Sequence, residues 1–297
     1  MRNRLLHTIL LLLSVVTINA QQDLFFTQQQ FSRGNINPAG VGNTGDVDLF
    51  LLGRLQWIGV DNAPHTILFN ATNYIPKIQS GVGLTVAYDA LGVGHRTTEV
   101  KAEYSYQIDL TPKWVLSLGA SAGVFVGVYN PGENKLTDES ERKDYDNLQD
   151  KQRKISPDFN VGVEATSADW TFGVSCTHLQ NTQSTSYKSD RHFYAYAMRA
   201  INLHTNWDLL LNLAYMNRNK VHLAEVGLLA FYDRFLWGGF SWRPDLVNGC
   251  NPSYLSVILG VEYHIFRIGY VYECGLGSRS TLPSNTHEIL LSFRIAK

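Results

Sequence analysis

Long stretches of period-two alternation constrain this chain more than any other feature. Between Trp114 and Tyr129 one parity reads Trp114, Leu116, Leu118, Ala120, Ala122, Val124, Val126 and Val128. The other reads Val115, Ser117, Gly119, Ser121, Gly123, Phe125, Gly127 and Tyr129. Successive side chains of a strand point to opposite faces, so the segment predicts a strand with one apolar face and one small, mostly polar face. Leu209, Leu211, Leu213 and Tyr215 repeat the pattern opposite Asn212 and Ala214; Ile289, Leu291, Phe293 and Ile295 repeat it opposite Glu288, Ser292 and Arg294. A helical period is nowhere sustained.

About fourteen such segments follow one another, starting near Asp46, Pro64, Ser80, His95, Lys113, Pro157, Ala168, Arg191, Asn206, Lys220, Arg234, Ser253, Phe266 and Asn285. Most run about 9–14 residues, longer than the strands of soluble sheets and right for a tilted crossing of a bilayer. Short links such as Lys77–Ser80, Ser167-Ala168 and Asp233-Arg234 follow the even strands, and longer ones such as Asn130–Ser156 and Gln180–Asp190 usually follow the odd strands. That asymmetry is the one outer-membrane barrels show between periplasmic turns and outer loops. The expected fold is all-β, a transmembrane antiparallel β-barrel of about 14 strands.

Composition agrees. Only 17% of the 297 residues are charged, against about a quarter in soluble domains. Thirteen of those charges fall in the Glu133–Lys154 loop, which reads as a solvated outer loop. A secreted sandwich would put its apolar parity inside and its polar parity in water, where Lys and Glu usually blunt strand edges. Here the polar parity is rich in Gly, Ser and Thr, which suits a lumen. The formal charge of −1 leaves no basic excess for binding nucleic acid.

The N-terminus reads as a cleaved leader over residues 1–20: Arg2 and Arg4, then an apolar run from Leu5 to Val16, then Ala20 before Gln21. Residues 21–45 form a periplasmic or luminal segment containing Phe25, Phe26 and Phe31, and 46–297 the barrel. Trp57, Trp114, Trp170, Trp207, Trp237 and Trp242 lie at expected strand ends and predict an aromatic girdle at the two membrane interfaces. His65, His95, His178, His192, His222 and His287 fall near the outer rim without a close-spaced pair, so no metal site is expected. Hydrolase, metalloprotease and phosphate-loop motifs are absent, and neither catalysis nor a cofactor is expected. A Cys250–Cys274 bridge stays open after export.

Taken together, these segments resemble the PorP/SprF family of type IX secretion outer-membrane proteins of the Bacteroidetes. Phe26-Thr27-Gln28 through Ile36-Asn37-Pro38-Ala39-Gly40 is similar to its lead-in, and Arg54-Leu55-Gln56-Trp57-Ile58-Gly59 with Ala63-Pro64-His65-Thr66 is the most specific piece. Gly81-Val82-Gly83 with Asp89-Ala90-Leu91-Gly92, Pro157-Asp158-Phe159, His178-Leu179, Arg191-His192, Gly238 with Arg243, Ile268-Gly269-Tyr270 and the terminal His287-Glu288 follow in the family's order. Two departures are Glu273, where the family often has Asp, and Gln28-Gln29 in place of an aromatic-rich lead-in.

The resemblance implies a non-enzymatic outer-membrane component of the secretion and gliding machinery. Its partners would be PorK/PorN-like periplasmic ring components, secreted cargo bearing a C-terminal sorting domain or a surface adhesin, and outer-membrane lipid. Phe25, Phe26, Asn37, Pro38, Gln56, Trp57, Gly59 and Pro64 are the residues expected at partner contacts, and His287 and Glu288 form the C-terminal motif. The alternative is a porin or small-solute transporter. An inward parity of Gly, Ser, Thr and Tyr argues against it, since a porin needs charges converging at a constriction.

Overall fold

The computed structural model describes residues 25–130, 152–180, 190–203, 206–218, 221–246, 251–276 and 285–295. The leader, most of the Glu133–Lys154 loop and Cys250 lie outside these residues. Fourteen strands alternate up and down: β1 Val47–Gln56, β2 His65–Ile75, β3 Ser80–Leu91, β4 His95–Thr111, β5 Trp114–Tyr129, β6 Gln152–Thr166, β7 Trp170–Thr177, β8 His192–Leu203, β9 Trp207–Arg218, β10 Val221–Tyr232, β11 Leu236–Asp245, β12 Asn251–Tyr263, β13 Phe266–Gly275 and β14 Thr286–Ile295. Each pairs antiparallel with its neighbours, and β1 pairs with β14 from Val47↔Ile295 to Gln56↔Thr286, closing the barrel. The expected fold class stands. Among the described residues no helix is long and apolar enough to cross a membrane; the crossing is made by strands.

The largest boundary difference is at β6. The sequence places its start near Pro157, but pairing already begins at Gln152↔Tyr129 and continues through Val124↔Pro157. Arg153 and Lys154 read locally as loop charge; opposite the long β5 they find strand partners. In the three-residue link between β10 and β11, Asp233 (φ 52°) and Arg234 (φ 53°) are both left-handed, the central residues of a turn closed by the Phe235 amide on the Tyr232 carbonyl at 3.0 Å.

Alternation sorts the wall as expected. Ile67, Val124, Val174, Leu213, Phe240, Leu259 and Ile289 are exposed on the outside, while Asn70, Ser117, Ser121, Glu164, Ser175, Glu225 and Glu288 are buried on the inside. The polar face is buried because the lumen is occupied. Residues 25–45 enter the barrel, make two short 3-10 turns at Gln29–Phe31 and Pro38–Gly40, and lead into β1.

Candidate functional site

The luminal segment is held by polar contacts to strands on two sides of the barrel. On one side, the Arg54 guanidinium (β1) donates to the Phe25 carbonyl at 2.9 Å. The Thr27 amide donates to both oxygens of Glu288 (β14) at 3.2 Å. Arg243 (β11) donates to Thr27 Oγ1 at 2.9 Å. On the other side, Lys101 (β4) donates to the Asn35 carbonyl and Ser175 (β7) to the Ile36 carbonyl. Arg33 forms a fork onto Glu164 (β6) at 2.8 and 2.9 Å. Burial works against the Arg33 charge, but the Glu164 carboxylate outweighs it and the guanidinium pKa is raised above its ordinary value. Asn43 and the Tyr196 hydroxyl also donate to Glu164.

Inward glycines mark the path of this segment. A Cβ on Gly119 would stand 2.0 Å from the Ala39 nitrogen, one on Gly162 2.0 Å from Asn37 Oδ1, and one on Gly81 2.1 Å from the Val41 carbonyl oxygen. A side chain at any of them would occupy space held by the backbone or side chains of the segment. These residues are the footprint of a plug in the wall.

The charges also converge. Arg54 contacts Glu273 at 3.0 Å and Glu288 at 3.1 Å, while Arg243 contacts Glu225 at 2.6 Å and Glu273 at 2.8 Å. All five side chains are nearly enclosed. In so shielded a place, charges are held only by pairing and hydrogen bonding. The expectation of an inward face without converging charge is therefore corrected. The five groups come from five different strands, β1, β10, β11, β13 and β14, and closure of the barrel gathers them.

The residues singled out by sequence divide between two faces. Phe25, Phe26, Asn37 and Pro38 are buried within the lumen. Phe25 packs with Ile36, Tyr194, Tyr196 and Met198, and Phe26 with Phe50, Leu52, Leu68 and Leu290. Asn37 caps the second turn through Ala39 N–H and donates to the Tyr196 hydroxyl at 2.9 Å. These four hold the plug and offer no outer surface. Gln56 is buried at the end of β1, with its amide on the Pro64 carbonyl. Trp57 (φ 52°) and Gly59 (φ 99°) turn the chain beyond it. The terminal pair splits, since neighbours on a strand face opposite ways. Glu288 joins the luminal ion network, whereas His287 is on the exposed side against Tyr270 Oη at 2.6 Å.

The girdle expectation needs one correction. Trp207 and Trp242 are exposed, and Trp57, Trp114 and Trp170 half-buried. Trp237 is 1% exposed and packs inside the barrel with Leu229, Ile258, Val271 and Phe31. It shares the parity of Ser241 and Arg243, a signal present in the sequence but outweighed by its strand-end position. The rim histidines need another correction. The rings of His178 and His192 lie 5.1 Å apart, because pairing of β7 with β8 sets Thr177 opposite His192.

The family of type IX secretion system membrane proteins PorP/SprF matches residues 18–293. No curated protein sequence matches. Among solved structures, the outer membrane protein Omp33 of Acinetobacter baumannii is 14% identical over 84% of this chain and 99% of its own, with TM-score 0.50. The toluene transporter TodX of Pseudomonas putida is 10% identical over 92% and 94%, with TM-score 0.52. At such identities the likeness is one of fold alone.

Proposed function

The chain belongs to the type IX secretion system membrane protein family PorP/SprF and is an outer-membrane β-barrel of that system, and from this we propose that it works as a closed docking or anchoring component rather than as a conduit. The observation that carries this reading is the plug: residues 25–45 are tied to the wall through Arg54, Glu288, Arg243, Lys101, Ser175 and Glu164. A fourteen-stranded barrel is narrow for folded cargo even when empty. With its lumen filled, its working surfaces are its rims and outer wall. On this reading the short turns face PorK/PorN-like ring components, and the longer loops face sorting-domain cargo or an adhesin. The proposed domain division is a cleaved leader over 1–20, a periplasmic or luminal lead-in over 21–45 and the barrel over 46–297.

We read the protein as non-enzymatic, a reading supported by its family and barrel fold. A solute-porin role would require the plug to leave and its buried ion pairs to be broken. The test is deletion of the gene followed by profiling of the culture medium. Loss of sorting-domain proteins from the medium is expected. Their undiminished appearance, with only solute uptake reduced, would overturn the proposal.

A further inference from the structure

Three of the segments singled out by sequence, Pro157-Asp158-Phe159, His178-Leu179 and Arg191-His192, supply none of the plug contacts described above. The fold brings one residue from each to a single place near the rim of longer connections. His178 Nδ1 lies 2.6 Å from Asp158 Oδ1, and the His192 ring packs against His178 at 5.1 Å between centroids. Glu99 of β4 joins them, so that one ligand atom each from Glu99, Asp158 and His178 falls within 4.8 Å of the others. Asp158 and Glu99 are 3% and 7% exposed, and Phe125 closes one side edge-on to His178.

We propose that Glu99, Asp158 and His178 form a binding site for a divalent transition metal of the zinc class at the mouth of the lumen. One imidazole and two carboxylates from three separate elements make a nitrogen–oxygen set of the kind such ions take, with a fourth position left to water or a further ligand. The ligand atoms already stand near one another, and small rotations separate His178 from Asp158 enough to admit an ion at about 2.0–2.2 Å from each. Lys101 Nζ, 3.2 Å from Glu99 Oε1, is the cation the metal displaces from that carboxylate. Lys101 keeps its bond to the Asn35 carbonyl, which connects metal occupancy to the plug.

The test is Zn²⁺ titration of the detergent-folded full chain in competition with a chromophoric chelator, repeated with Co²⁺ to read its visible absorption. Compact migration of unheated samples on a denaturing gel reports the fold of every variant. One equivalent of Zn²⁺ is expected to bind, with His178→Gln and Asp158→Asn each weakening it by more than about tenfold, since even outer-shell losses reach that scale. His222→Gln, at a rim histidine that meets Tyr215 instead, leaves binding unchanged. If one of the two site variants does not fold, Glu99→Gln takes its place with the same expected loss. Absence of stoichiometric binding by the wild type overturns the site, as does wild-type affinity in folded site variants.

Discussion

Arg54 and Glu288 are 234 positions apart in the chain, yet they are register partners across the β1–β14 seam, with Nη1 of one 3.1 Å from Oε1 of the other. The same guanidinium holds the Phe25 carbonyl, and the same carboxylate accepts from the Thr27 amide. One ion pair therefore ties barrel closure to plug retention.

Removing Glu288 leaves the Arg54 guanidinium with Glu273 as its one remaining carboxylate and takes the acceptor from the Thr27 amide. Glu288→Ala is therefore expected to destabilise the barrel by about 1.5–3 kcal/mol, the scale of a hydrogen bond to a charged group, lowering the temperature at which the compact gel form is lost. The paired change Arg54→Met with Glu288→Leu should cost clearly less than the two single losses added together. Strict additivity would mean that the two are not coupled.

The plug's fit depends on absent side chains. Gly119→Val places carbon where the Ala39 backbone lies, so the segment must leave its seat while the wall can still pair. Trypsin should then cut at Arg33 in a barrel that still migrates as a folded species. In the wild type Arg33 is fixed on Glu164 and should resist cleavage.

A chain lacking residues 25–45 should conduct ions in planar bilayers, because the lumen loses its filling, while the wild type stays closed. Equal conductance of the two would show that the plug does not seal the barrel.

The two classes of tryptophan should separate by lipid contact. Brominated acyl chains should quench Trp207, which is 44% exposed, and spare Trp237, which is 1% exposed. Trp207→Phe is expected to lower the quenched fraction and Trp237→Phe to raise it. Trp237→Ala should also cost about 3–5 kcal/mol by opening a cavity.

The sequence by itself determined the barrel. Alternation is a local property of extended backbone, so segments such as Trp114–Tyr129 declare their two faces without knowledge of any partner, and the succession of fourteen such segments with alternating links specifies the architecture. Even the direction of Trp237 was readable from its parity with Ser241 and Arg243. Only the tertiary structure decided which inward residues meet. Arg54 finds Glu288, Arg33 finds Glu164, and His178 finds Asp158 through closure and register, which no spacing along one strand contains. The inward Gly, Ser and Glu positions looked like the lining of an open lumen because alternation distinguishes inside from outside but does not say what fills the inside. The plug fills it, because its buried amides, carbonyls and charges find their hydrogen-bond partners on that polar wall.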